Sequence, residues 1–170
     1  MKYILSFILA LTVLMLSPLA HASESREIGA VTTGFKIIGP NHKIAIVAFD
    51  DPKVKGVTCY VARPKTGGIK GGLGLAEDPS IASVSCVQTG VITYIRPIEA
   101  DENGEEVFDE NRSLIFKSLE IIRLFDKVTH SLVYVVRTHR VIEGSPDTSI
   151  SVVAPMAWNG TPPQKPLLDD

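Results

Sequence analysis

The chain has 170 residues, with 17 lysines and arginines against 19 aspartates and glutamates, a net charge of −2. So mild an acidic balance offers no general attraction to nucleic acid, and none to anionic lipid. The length fits one domain with room for a real core.

Residues 1–22 stand apart from that domain. Lys2 gives a positive start, Ile4 to Leu16 is apolar except for Ser6 and Thr12, and Ser17-Pro18 ends the run. Ala20-His21-Ala22 has the small-x-small form of a cleavage site, so the segment reads as a secretory signal peptide. Its apolar run falls short of the ~20 residues that cross a bilayer. No later segment is long enough either, which predicts no transmembrane segment after cleavage.

The mature chain begins with a loose polar stretch. Ile28 to Ile38 alternates around Val31 and Phe35 and stops at Gly39-Pro40-Asn41-His42, a strand followed by a turn. Lys43 to Phe49 is apolar on both faces and reads as a covered strand, ended by Asp50-Asp51-Pro52. Val57 to Ala62 is a third strand and contains Cys59.

Next comes a stretch closed by two cysteines, Cys59 and Cys86. Five of the eight residues from Gly67 to Gly74 are glycine. Glycine loses more backbone entropy on ordering than any other residue, so such a run suits backbone that must approach something closely. The candidate loop comprises Lys65, Thr66, Gly67, Gly68, Lys70, Gly71, Gly72, Gly74 and Asp78. Its backbone N–H groups and two lysines suit an anion or a partner protein. The alternative is packing against the same chain. Two cysteines in an exported chain favour one disulfide, Cys59–Cys86; two buried free thiols are the alternative.

Asp78-Pro79-Ser80 caps a short predicted helix through Ala82. Val84 to Val87 and Val91 to Ile95 read as two strands. Asp101 to Glu106 is an acidic turn whose Asn103-Gly104 favours a tight hairpin. Leu114 to Phe125 is the longest apolar segment of the mature chain, with a parity switch that predicts a bulge near Ser118. It pairs with Leu132 to Val141 as a central hairpin. Ile150 to Val153 is the last strand, and residues 159–170, with Pro162, Pro163 and Pro166, read as a loose C-terminal tail.

The sum is a mainly β chain of about eight or nine short strands with at most one or two short helices. It is an antiparallel sandwich or a partly open barrel. Residues 23–158 form the single domain.

Several stretches together resemble the CreA family. They are Asp50-Asp51-Pro52, Val57-Thr58-Cys59-Tyr60, the run from Lys65 to Asp78, Ser85-Cys86, Phe116-Lys117-Ser118 and Glu143-Gly144-Ser145-Pro146. The likeness covers most of residues 28–158. It implies a small exported protein of the Gram-negative periplasm and no mechanism, since the family has no established activity. Ala157 stands where a proline is expected before Trp158, and residues 159–170 read as an extension.

No complete catalytic motif is present. Lys65-Thr66-Gly67 matches the KTG element of penicillin-binding enzymes, but no lysine has serine three residues before it. Lys70 is followed by Gly71, which breaks the phosphate-loop pattern. His42, His130 and His139 have no metal-binding spacing, so neither a metal nor another cofactor is predicted. The Asp50-Asp51 pair reads as a turn. The function that fits is a non-catalytic binding or accessory protein of the cell envelope, its partner an envelope protein or a small anionic ligand. The alternatives are a small envelope hydrolase or transferase with its site near the Gly-rich loop, and a protein–protein module using an exposed sheet edge.

Overall fold

The computed structural model describes residues 25–69, 82–111, 118–138 and 148–169. Within them, eight strands form two four-stranded antiparallel sheets. The first sheet runs in the order β1 (Ser25–Gly34), β2 (His42–Asp50), β3 (Val54–Lys65), β4 (Ser83–Tyr94). The second is β5 (Glu105–Asn111), β6 (Ser118–Asp126), β7 (Ser131–Thr138), β8 (Ile150–Val153). Every strand pairs with its sequence neighbour within its sheet, the arrangement that short turns favour.

Alternation sets the inner faces. Val47 and Phe49 of β2 join Val57, Cys59 and Val61 of β3 in the core. Leu119, Ile121 and Phe125 of β6 and Leu132, Tyr134 and Val136 of β7 supply the other side. Phe49 and Phe108 stack between the sheets with ring centroids 4.5 Å apart. The expected β6–β7 hairpin is central to its sheet, and Leu119 is buried; Phe116 lies outside the described residues.

The sheets meet along β4 and β8, where side chains replace a backbone ladder. The Ser149 hydroxyl accepts the Val84 N–H at 2.9 Å, and the Ser151 hydroxyl accepts the Cys86 N–H at 2.8 Å. The Gln88 amide donates to Met156 O at 2.9 Å and accepts the Met156 N–H at 3.0 Å. These bonds satisfy the outward amides of an edge that would otherwise be open. The result is a sandwich whose sheets meet at this seam, with no continuous ladder among the described residues to close a barrel.

Several boundaries differ from the sequence reading. β1 ends at Gly34, and Phe35 to Ile38 belong to the turn that follows. The two strands expected between Val84 and Ile95 form one strand, Ser83–Tyr94, with an irregularity inside it: pairing passes from Gln88 opposite Val57 to Thr93 opposite Lys55, so Thr89 to Ile92 bulge out of the ladder across from Gly56. Asp78 to Ser80 and the whole Arg112–Lys117 approach to the expected bulge lie outside the described residues. β6 itself pairs with β7 without a shift.

The tight Asn-Gly turn sits at the other Asn-Gly of the chain. Asn159 and Gly160 both have positive φ, 48° and 81°, and Trp158 and Thr161 exchange backbone bonds of 2.8 and 2.9 Å around them. At Asn103-Gly104 only the glycine has positive φ. There the Asp101 carboxylate accepts both N–H groups at 2.9 Å and sets the turn instead.

That second turn sends the chain back along the sandwich, so residues 159–169 are not a loose tail. Gln164 N donates to Ile92 O and its side-chain oxygen accepts the Tyr94 N–H, both at 2.9 Å. Ile98 N donates to Leu167 O at 2.9 Å, and Asp169 N donates to Ile98 O at 3.0 Å. Prolines suggested looseness, yet these contacts use backbone groups and one glutamine, which composition does not advertise.

Candidate functional site

A charged cluster lies inside the sandwich, at the end of the β2–β3 turn. The alternation that buries Leu119, Ile121 and Phe125 also places Arg123 on the inner face, fully buried and paired across the ladder with Tyr134. A buried guanidinium needs a partner, and Asp51 supplies it. Arg123 Nη1 donates to Asp51 Oδ1 at 2.5 Å and to Oδ2 at 2.7 Å. Tyr134 donates its hydroxyl to Asp51 Oδ2 at 2.7 Å. The N–H groups of Lys53 and Val54 both donate to Asp51 Oδ1 at 2.9 Å, which folds the β2–β3 turn around the same carboxylate. Arg123 Nη2 donates to Glu105 Oε2, and Lys53 Nζ reaches Glu105 Oε1 at 2.6 Å.

The cluster therefore ties the first sheet's turn to three strands of the second. Both oxygens of Asp51 are taken and its side chain is sealed from solvent. A carboxylate so placed holds structure; it has neither a free lone pair nor a path to substrate for acid–base work. Burial first, then the negative charge of Asp51 and the bond to it, push the Tyr134 hydroxyl well above the usual tyrosine range, with Arg123 opposing. Tyr94 is also raised, by burial, with Arg123 opposing and Asp51 adding.

The sequence-predicted sites are placed as follows. Cys59 and Cys86 form a disulfide between directly opposed residues of β3 and β4. Their Cα atoms are 3.9 Å apart, closer than the usual 4.4–6.8 Å. The Cys86 N–H turns away from β3 to Ser151, so this is a non-hydrogen-bonded pair, the closer of the two antiparallel spacings. Lys65 ends β3 and Thr66 follows it, both half-buried. Gly67 and Gly68 dock on the β1–β2 turn: Gly67 N donates to His42 Nδ1 at 3.1 Å and Gly68 N to Pro40 O at 2.7 Å. A Cβ on Gly67 would stand 2.1 Å from Pro40 O. At the loop's base, then, the close approach demanded by glycine is to the same chain. Lys70, Gly71, Gly72, Gly74 and Asp78 lie outside the described residues, as does His139. Among the described residues no three His, Cys, Asp or Glu side chains gather as a metal set.

A second feature lies on the other side of Tyr94. Residues Pro163 to Leu168 and the β6–β7 turn enclose a groove of about 690 Å3. Tyr94, Phe125 and His130 line it with Pro155, Pro163 and Pro166, and Lys127 and Lys165 add charge. The turn is held by Asp126, whose carboxylate accepts the Thr129 hydroxyl at 2.6 Å and the Val128 N–H at 2.8 Å. Those bonds, the Thr129 hydroxyl first, lower the Asp126 pKa. His130 takes φ 56° and lies over Phe125, ring centroids 6.0 Å apart.

The sequence profile described as CreA protein matches residues 28–158. The chain belongs to the CreA family. It is similar to Protein CreA of Escherichia coli strain K12, 54% identical over 159 residues, which cover 93% of this chain and 99% of that protein. The proteins of the same name in strains O6:H1 and O157:H7 match equally well. No solved structure matches the chain. The charged cluster lies within the CreA match, whereas the wall of the groove from Pro163 to Leu168 lies beyond it.

Sequence reasoning missed both features. Arg123 left one usable signal: it stands two residues from Ile121 and from Phe125, so any strand that buries both must bury it. The groove left none, because its wall is held by backbone bonds and one glutamine side chain.

Proposed function

We propose that the protein is exported by cleavage before Ser23 and acts in the periplasm as a non-catalytic accessory protein that binds a partner protein along β1. The observation that carries this reading is the edge itself. β1 is a ten-residue outer strand with Ile28 and Val31 exposed, and the turn after it exposes Phe35, Ile37 and Ile38. An edge strand presents unpaired N–H and C=O groups, and an apolar one invites an added strand from another chain. From Ile28 onward it lies within the stretch matched by the CreA family. Residues 1–22 and the Cys59–Cys86 disulfide support an oxidising compartment. An enzymatic reading has less support, since the acid–base groups of the cluster are committed to one another.

The test is photocrosslinking in cells with a photoreactive residue at Val31, combined with fractionation and mass measurement of the mature chain. The expected result is a periplasmic protein beginning at Ser23 that forms a discrete adduct with another protein. Ala30→Lys, which places a charge on the edge, should abolish the adduct. A cytoplasmic chain retaining residues 1–22, or a β1 that yields no adduct, overturns the reading.

A further inference from the structure

The groove beside Tyr94 has a charge character unlike that of the chain. The protein as a whole is net −2, yet the groove is lined by two lysines, Lys127 and Lys165, and by no aspartate or glutamate. Two acids adjoin the lining in sequence without forming part of it: Asp126, whose carboxylate faces its own turn and is bonded to Thr129 and Val128, and the exposed Asp169 next to Leu168. Between the lysines the surface is mostly apolar: the Phe125 and Tyr94 rings, three prolines and Leu168. Tyr94 itself is 3% exposed, and its hydroxyl has no hydrogen-bond partner among the described residues. A volume of about 690 Å3 falls in the range of small-molecule sites.

We propose that this groove is a binding site for a small amphipathic carboxylate, an apolar body carrying one anionic head. The lysines supply the attraction for the head, and the proline and aromatic walls take the body. Prolines suit such a wall because they present apolar surface with little conformational entropy left to lose on binding. One wall, Pro163 to Leu168, lies past the CreA match, while Tyr94, Phe125, Lys127, Thr129, His130 and Pro155 lie within it, so the site is completed by residues outside the matched stretch. It is also independent of β1, which lies at the far edge of the other sheet from the β6–β7 turn.

The experiment is calorimetric titration of the mature chain at low salt with octanoate, decanoate, dodecanoate and 2-naphthoate, each below its micelle-forming concentration. Decanol and decylammonium serve as neutral and cationic counterparts of decanoate. The expected result is saturable one-to-one binding of at least one carboxylate, with decanol about tenfold weaker and decylammonium weaker still. Affinity should fall as salt is raised, because the lysines are exposed and screened. The Lys127→Ala/Lys165→Ala double variant should lose about tenfold in affinity while melting as the parent does. If neutral and anionic compounds bind alike and the double variant changes nothing, the assignment to anions is wrong. If none of the six compounds binds, the groove is no ligand site.

Discussion

Two sets of charged groups flank Tyr94, and they are used in opposite ways. On one side Asp51, Arg123, Glu105 and Lys53 are bonded to one another inside the sandwich. On the other, Lys127 and Lys165 face an open groove with no acid in its lining. Desolvation explains the contrast. A charge removed from water must find its counter-charge within the fold, so each charge of the inner set is paired, even though Arg123 Nε is left without a hydrogen-bond partner among the described residues. A charge at the surface costs little when left unpaired and stays available to something that arrives from outside. Charged residues in one small domain thus divide into those consumed by folding and those left for recognition, and burial makes the division.

The sharpest way to break this contrast is Arg123→Met. It leaves Asp51 buried without its guanidinium and should cost about 3–5 kcal/mol in urea unfolding. Tyr134→Phe removes one hydrogen bond to the same carboxylate and should cost about 1.5–3 kcal/mol. It also tests the pH dependence. The folded pKa of Tyr134 is raised above the unfolded value, so its contribution is fully present below about pH 10 and is lost as pH rises through the folded pKa. Wild type should therefore lose stability above about pH 10 more steeply than Tyr134→Phe, as pH-dependent unfolding will register.

On the groove side the effects on folding shrink. Gln164→Ala deletes the acceptor for the Tyr94 N–H and should cost about 0.5–1.5 kcal/mol, while exposing amides of the 163–169 segment to faster hydrogen exchange. The Lys127→Ala/Lys165→Ala double variant should stay within about 0.5 kcal/mol of wild type. If it destabilised the protein as Arg123→Met does, the two sets of charges would not differ in kind.

Much of the scaffold was legible in the residues. The β2 run His42–Asp50, the β6–β7 hairpin and β8 follow from alternation and turn chemistry, and the cysteine pair from their even count together with the expectation of export. Three things were not. Gln88-Thr89-Gly90 looked like the end of a strand, because a polar run ending in glycine normally punctuates one; the pairing does lapse after Gln88, but the same strand resumes at Thr93, and Gln88 is bonded to the chain after β8. Asp51 looked like a turn residue, and it is one, but its second role depends on Arg123, 72 positions away. Residues 159–169 looked loose because their contacts are made by main-chain groups, which every sequence has, and by one glutamine side chain. Local patterns report local structure; the sites here are built by contacts distant in sequence.

The most direct measurement is a double-mutant cycle in urea on Asp51→Asn, Arg123→Met and their combination. If the inner charges exist to complete one another, each single change costs about 3–5 kcal/mol, and the double costs far less than their sum. If each single variant unfolds within about 0.5 kcal/mol of wild type, the pair is not what holds the sheets together, and the division between charges for folding and charges for recognition fails.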